Sequence, residues 1–273
     1  MSNSKEQNFT STLNQGWQQH ESEPDSVFDS MASMLDSLDP EQTESAMTLL
    51  LHTAIGHLSA PEKLLHLLAS LNSNQSNLPS SLRAQVVADY FSTNVLCDMS
   101  HLTTDEQHRV FTQIANEYTA LENTAQASQW LTMATEGVSE RSVSKPLARA
   151  IAITGNNLAC RFEDLKYRTP EQDQQMIKAA QLALQYWRVA GGWIQEERAE
   201  YRLAMSLIKA GQYQDARTHA ERCEAICIEN EADDFERYFA SDLLMLVHFH
   251  LAQSFKQNLS EELRGYCETS PLS

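Results

Sequence analysis

The chain has no long hydrophobic run and few basic residues, and both absences exclude classes of function. No stretch approaches the roughly 18 consecutive apolar residues that a membrane-spanning helix needs. There are 20 Lys and Arg against 37 Asp and Glu, a net charge of −17. Such a balance disfavours binding to nucleic acid or to an anionic membrane. It is consistent with solubility alone or with attraction to a basic partner.

Disulfide and secretion signals are also missing. The five cysteines, an odd number without a C-x-x-C pair, are Cys97, Cys160, Cys223, Cys227 and Cys267. This pattern does not indicate a disulfide framework. The first residues, rich in Ser, Asn, Gln and Glu, lack the apolar core of a secretory signal. We therefore predict a cytoplasmic protein with reduced cysteines.

The sequence contains none of the local motifs that mark common catalytic sites. It has no nucleophile elbow, phosphate-binding loop, H-E-x-x-H zinc motif or dinucleotide fingerprint. We predict that the protein is not an enzyme and needs no cofactor. Its many carboxylates are expected to lie on solvated helix faces.

The N-terminal residues divide into two segments of different character. Residues 1–25 are polar and without periodicity, so we predict that they are disordered. Residues 26–39 place apolar side chains at helical spacing, namely Val27, Met31, Met34, Leu35 and Leu38. We predict that this second segment is a short amphipathic helix that caps the following domain. The alternative is a linear motif that binds a partner.

From Pro40 onward the chain is predicted to be almost wholly helical. Pro, Ser, Thr and Asp residues at helix starts, and Gly or polar breaks at helix ends, divide it into segments. The predicted helices are 40–58, 61–71, 80–99, 103–121, 124–135, 146–166, 170–189, 193–209, 213–229 and 233–255, with a last short one from Ser260. No segment has the alternating pattern of a strand.

One pattern of small residues occurs twice with the same internal spacing. Ala115 is followed at intervals of 12, 4 and 3 residues by Ala127, Leu131 and Ala134. The same intervals relate four residues farther along the chain: Ala204, Ala216, Ala220 and Cys223. Small side chains at this spacing allow two antiparallel helices to approach closely.

The stretch from Leu203 to Cys223, with Gly211 and Tyr213 at the turn, resembles a tetratricopeptide repeat (TPR). The first copy matches less fully because Glu122 replaces the turn Gly and Thr124 the aromatic residue. Ala159 begins a third unit with a longer turn. The clearest repeats are 108–137, 152–190 and 197–230. The repeat starts lie 44 and 45 residues apart, longer than the family's usual period of about 34.

The resemblance implies an all-α fold of antiparallel helix hairpins, stacked in a right-handed TPR-like superhelix (α-solenoid) over residues 40–273. It also implies a concave groove lined by the first helix of each hairpin. The residues expected to face that groove are Arg109, Thr112, Asn116 and Thr119; Asn156, Cys160, Glu163 and Asp164; and Arg198, Tyr201, Met205 and Lys209. The alternative is that they are ordinary solvated faces, and an irregular helical bundle is the alternative fold.

Two further groups have unusual chemistry. Trp187 and Trp193 bracket a Gly-Gly break and form either an interhelical corner or an aromatic patch that anchors a peptide. His219, Cys223 and Cys227 lie four residues apart and form one helix stripe that offers metal ligands. We predict that these three residues are structural, since Cys223 occupies a repeat core position.

The function that these features predict is a non-catalytic protein–protein interaction module, or adaptor, that binds a partner protein or peptide in the groove. The main alternative is a self-assembling structural protein that forms a homo-oligomer. The remaining alternative is a metal-binding protein or enzyme that uses His219, Cys223 and Cys227.

Overall fold

A computed structural model describes the backbone of residues 2–269 and the side chains of residues 6–261, and all regular secondary structure in that part is helical. The α-helices are α1 (Ser2–Gln19), α2 (Pro24–Ala32), α3 (Pro40–His52), α4 (Pro61–Ser70), α5 (Ser73–Ser76), α6 (Pro79–Thr93), α7 (Thr104–Ala120), α8 (Thr124–Thr135), α9 (Lys145–Glu163), α10 (Pro170–Ala190), α11 (Trp193–Lys209), α12 (Tyr213–Glu229) and α13 (Asp234–Thr269). A 3₁₀ turn, Leu35–Ser37, follows α2, and a π-helical turn, Thr53–His57, extends α3. The all-α prediction is confirmed. None of the helices in the described range is long and apolar enough to cross a bilayer.

Most helices begin where local sequence signals place them. Proline occupies the first turn of α3, α4, α6 and α10. Asp39 and Thr169 complete capping boxes with the third residue of α3 and α10. The clearest differences from the prediction are in α6 and α13. Helix α6 stops at Thr93 because Asn94 adopts a left-handed conformation (φ 56°), and α13 continues through Ser260 without a break.

The chain divides into two compact units, Met1–Thr154 and Gly155–Ser273, with the division inside α9. The sequence predicts one repeat domain over 40–273, whereas the contacts of the chain divide it within α9. In unit 1, α3 and its π turn are central and contact α1, α2, α4, α6 and α7. The core of unit 1 is formed by large apolar side chains, including Met31, Leu35, Met47, Leu49, Leu50, Leu51, Ile55, Leu64 and Ile114.

The prediction of disorder for residues 1–25 is corrected by the structure, in which most of this segment is helical. Helix α1 packs on α2 and α3. Its residue Phe9 is only 6% exposed, and Gly16 lies so close to Leu49 that a Cβ there would meet the leucine side chain. The segment is mostly polar, but it packs on the core through the buried ring of Phe9 and through the close approach of Gly16 to Leu49. Part of the predicted 26–39 segment is helical as well, with Val27, Met31 and Leu35 buried.

In unit 2, consecutive helices pack side by side. Helix α11 contacts α10, α12 and α13, and α12 also contacts α13. Ala204 and Ala216, the small residues of the repeat pattern, are both fully buried. Because neither has a side chain beyond Cβ, the two helices that carry them can approach closely, as the pattern predicts.

Three helix-to-helix turns have the same backbone geometry. In each, the turn residue is left-handed: Glu122 between α7 and α8, Gly211 between α11 and α12, and Glu231 between α12 and α13 (φ 61°, 76° and 50°). The next residue donates its N–H to a carbonyl five residues earlier, at 2.9 Å in all three turns. Glu122 thus adopts the left-handed conformation that Gly211 adopts at its turn, at the strain cost of a non-glycine residue.

Candidate functional site

The predicted groove residues on α7 face the interior of unit 1. Thr112 is 1% exposed and Thr119 5% exposed, so neither lies on a surface that a partner can contact. Arg109 pairs with Glu44 of α3, with 2.6 Å between its Nη2 and Oε1. This part of the groove prediction is wrong for Thr112 and Thr119. The reason is that α6 and the π turn after α3 pack against α7, while Glu44 of α3 reaches Arg109.

The predicted residues on α9 form contacts with α11. Glu163 accepts hydrogen bonds from Arg202 Nη1 at 2.6 Å and from Ser206 Oγ at 2.7 Å. Cys160 is half-buried, and burial raises the pKa of its thiol. Asn156 lies beside it, with Nδ2 3.9 Å from Sγ, while Asp164 is exposed. This set mainly joins two helices and does not form an open polar surface.

The predicted residues on α11 are the most accessible set. Arg198 and Lys209 are exposed, and Tyr201 and Met205 are half-buried. Arg198 donates from Nε to Glu236 of α13 at 3.1 Å, and the contact with this carboxylate raises the pKa of the guanidinium further. The side of α11 that bears Arg198 and Tyr201 therefore borders α13.

Tyr201 of α11 and three residues of α13, Phe235, Tyr238 and Phe239, form a cluster that we call the aromatic surface. The ring centroid of Phe239 lies 4.9 Å from Phe235, 5.4 Å from Tyr238 and 6.4 Å from Tyr201, each in an edge-to-face arrangement. Phe235 is 62% exposed, Tyr238 66% and Phe239 37%. Large rings that contact one another at this exposure are uncommon on a protein surface with no binding role.

The sequence of α13 explains why these rings remain outside. The buried residues Glu236, Ala240, Leu243 and Val247 repeat at intervals of four and three, so they form the stripe that faces α11 and α12. Phe235 and Tyr238 fall on another side of the same helix. Two further exposed residues, Met245 and Phe249, extend that side toward the C-terminus. Among the described side chains of α13, up to residue 261, apolar residues lie on more than one face, and the stripe from Glu236 to Val247 is the covered one.

The two tryptophans of the sequence pattern lie at the corner between α10 and α11. Trp187 and Trp193 are both half-buried, and Gly191 between them donates its N–H to the carbonyl of Trp187 at 2.7 Å. A Cβ at Gly191 would lie 2.8 Å from that carbonyl oxygen. This geometry is that of an interhelical corner, one of the two alternatives given by the sequence.

The histidine and cysteines of α12 do not form a metal site in the structure. His219 Nδ1 lies 2.6 Å from Glu200 Oε2, while Cys223 donates its S–H to Glu197 Oε1 at 2.7 Å. Burial raises the pKa of both thiols, that of Cys227 to about 11. Protonated thiols are poor metal ligands. His219 and Cys223 thus each contact a carboxylate of α11.

A different group in unit 1 does bring ligand atoms together. Within the described side chains, only His20, His52 and His57 form a cluster of at least three potential metal ligands, with one ligand atom from each lying within 4.8 Å of the others. Sequence reasoning missed this cluster because the three residues belong to two separate segments and show no ligand spacing.

Comparisons of the chain with family models, with curated proteins and with solved structures gave no match.

Proposed function

We propose that the protein is a protein-interaction module that binds an apolar segment of a partner on the aromatic surface of unit 2. The observation that carries this proposal is the exposure of three contacting rings, Phe235, Tyr238 and Phe239, next to Tyr201. Aromatic side chains are among the residues that contribute most to the binding energy of protein interfaces. Arg198, held by Glu236 at the edge of the surface, adds a polar group that orients a ligand.

The exposed rings can contribute to the binding energy of a complex. Full burial of a Phe side chain contributes about 1.5–3 kcal/mol, so burial of the exposed parts of Phe235 and Tyr238 contributes a few kcal/mol. Met245 and Phe249 extend the apolar stripe along α13. A partner helix that follows this stripe adds their burial to that of the rings, which helps to offset the entropy lost on association.

The helical hairpins support the same proposal. The TPR-like spacing around Ala204 and Ala216, the tight turn at Gly211 and the packing of α11 against both neighbouring hairpin helices are features of repeat scaffolds that bind peptides. We therefore propose that unit 2 is a TPR-like array whose surface at α11 and α13 is used for recognition. The repeated turn at Glu122 extends the proposal to the α7–α8 hairpin of unit 1.

The negative charge of the chain favours a partner segment that carries basic residues. The chain carries a net charge of −17, and Asp233, Asp234 and Asp242 lie close to the aromatic rings in sequence. A partner segment with apolar residues on one side and Lys or Arg beside them complements this surface. A second copy of the acidic chain is a poorer complement, because like charges repel at the contact.

A pair of matched variants tests the proposal. Phe235→Ser with Tyr238→Ser removes two exposed rings and should abolish capture of a partner. The control is Phe255→Ser, which removes a ring that is 70% exposed. It lies 20 residues farther along α13, about 200° around the helix from Phe235. The far-ultraviolet circular dichroism of both variants should match the wild type.

Three outcomes are distinguishable in pull-down and light-scattering measurements. Loss of a directly bound partner in the double variant, with retention in Phe255→Ser, supports the aromatic surface. Equal capture by all three proteins rejects it. Self-association of the wild type that the double variant loses assigns the surface to contacts between copies and also rejects the proposed partner.

A further inference from the structure

The three histidines of unit 1 approach one another through two chain segments. His20 follows the last residue of α1, His52 is the last residue of α3, and His57 ends the π turn. The ring centroids of His20 lie 5.2 Å from His52 and 4.8 Å from His57, and those of His52 and His57 are 4.9 Å apart. The imidazoles thus form a compact triangle at the end of α3.

The π turn brings His52 and His57 to the same side. In a regular α-helix, residues five apart differ in direction by about 140°. Here the N–H of Leu58 bonds to the carbonyl of Thr53 at 3.0 Å, the wider hydrogen-bond pattern of a π-helix. The widened turn rotates His57 toward His52, so that their Nε2 atoms are 3.2 Å apart.

Hydrogen bonds from the outer ring nitrogens fix the orientation of two imidazoles. Nδ1 of His52 lies 2.9 Å from Oε2 of Glu117, and Nδ1 of His20 lies 2.7 Å from the carbonyl oxygen of Trp17. When Nδ1–H donates to these oxygens, Nε2 of each ring carries the free lone pair, and Nε2 of His52 faces Nε2 of His57. A metal-binding histidine usually donates its other ring N–H to a carboxylate or to a carbonyl oxygen.

The surroundings of Glu117 hold its carboxylate beside His52. Its side chain is 2% exposed, and its Oε2 would be only 2.8 Å from a Cβ at Gly56. Any larger residue at position 56 would push the carboxylate or α7 away. The absence of a side chain in the middle of the π turn therefore allows the carboxylate to reach His52.

We infer that His20, His52 and His57 bind one Zn²⁺ ion through their Nε2 atoms, with Glu117 orienting His52 from behind. Zn–N bonds of about 2.0–2.1 Å in a tetrahedron place two ligand nitrogens about 3.4 Å apart. The observed separation of 3.2 Å between His52 and His57 fits this value. Three imidazoles and no thiolate are a donor set that suits zinc, and the fourth position is left for water or another ligand.

The site has a structural consequence that is separate from the aromatic surface. Two ligands lie at the end of α3 and the third at the end of α1, so a bound ion fastens the N-terminal helix to the core of unit 1. Zinc is therefore expected to protect the backbone amides of α1 from hydrogen exchange. The double variant Phe235→Ser with Tyr238→Ser should bind zinc as the wild type does, since those residues belong to unit 2.

Isothermal titration of the EDTA-treated, tag-free full chain with Zn²⁺ tests the inference. We expect one ion per chain in the wild type and at least a hundredfold weaker binding in His20→Asn and His52→Asn. Glu117→Gln should weaken binding about 10- to 100-fold. The matched control is His66→Asn, because His66 is exposed on α4 and lies outside the cluster. Its affinity should equal that of the wild type.

His20→Asn keeps the test decisive if His52→Asn or Glu117→Gln fails to fold. His20 lies beyond the end of α1 and its loss leaves the core of α3 intact. Co²⁺ in place of Zn²⁺ should give the intense visible absorption of a four-coordinate ion in the wild type and not in His20→Asn. Absence of stoichiometric zinc in the wild type, or unchanged affinity and spectrum in His20→Asn, would overturn the inference.

Discussion

Replacement of Arg83 by methionine should destabilise unit 1 strongly. Arg83 is fully buried, and its guanidinium donates to Glu44 of α3 and to Glu106 of α7. Arg109 joins the same two carboxylates, at 2.6 Å to Glu44 and 3.3 Å to Glu106. Two cations and two anions thus form a neutral cluster that links α3, α6 and α7. Methionine fills a similar volume but leaves the cluster with an excess negative charge.

The expected loss of stability is the cost of an uncompensated charge, reduced by two smaller factors. Removal of one partner from a buried ion pair costs about 3–5 kcal/mol, because the remaining charge is left uncompensated. Two factors reduce this loss. Arg109 still neutralises part of the charge, and Nε of Arg83 has no hydrogen-bond partner, so its removal relieves a penalty of about 1 kcal/mol. We expect a net loss of about 2–4 kcal/mol.

Urea denaturation combined with native-state hydrogen exchange measures this loss and locates it. Amides of α3, α6 and α7 should lose protection in Arg83→Met. Arg141→Met is the matched control, since Arg141 is exposed in unit 1, and it should change stability by less than about 0.5 kcal/mol. Addition of Glu44→Gln to Arg83→Met restores the charge balance and should recover part of the loss. A loss below about 1 kcal/mol, or no recovery in the double variant, would refute the reasoning.

Three further predictions concern single contacts. Burial opposes ionisation of Glu44, but its two guanidinium partners outweigh this and hold its pKa below the ordinary 4.5. The stability difference between the wild type and Glu44→Gln should therefore be full above pH 4.5 and disappear in urea titrations as the pH falls through the lowered pKa. Gly56→Ala should reduce the free energy of unfolding, measured by thermal unfolding, by about 1–3 kcal/mol and should weaken zinc binding, because the new Cβ meets Glu117 and Ala120. A more stable variant, as the higher helix propensity of alanine alone would give, would contradict this close approach. Gly155→Ala, whose Cβ would lie 2.7 Å from the carbonyl oxygen of Ala179, should cost a similar amount in urea denaturation, and wild-type stability would exclude that close approach.

Helix boundaries could be predicted because their signals are local. Asp39 and Thr169 cap the helices that follow them, and Gly211 adopts the left-handed turn that its residue type favours. Each of these signals involves residues within a few positions of one another. The same locality limited the prediction at the end of the chain, where a cap-like sequence at Ser260 lies inside the uninterrupted α13. A favourable cap residue does not end a helix whose backbone can continue.

The exposed faces could not be predicted in the same way. Thr112 was expected to line a groove because the resemblance to a repeat assigns it to the groove side of the first helix of a hairpin. In the structure it is buried, and Arg109 on the same face meets Glu44, which lies 65 residues earlier in the chain. A repeat alignment describes contacts within and between hairpins. It contains no information about other helices, such as α6, that pack on one of them.

The histidine cluster illustrates a different limit of sequence reasoning. With the helical period of 3.6 residues, His52 and His57 point in directions about 140° apart and would not be considered together. The π turn changes that relation, and Gly56 inside it leaves room for the Glu117 carboxylate that contacts His52. Helical irregularities of this kind are unfavourable unless other interactions stabilise them, and they often occur at functional sites. The break in periodicity that hid the cluster from the sequence is also what brings the two imidazoles together.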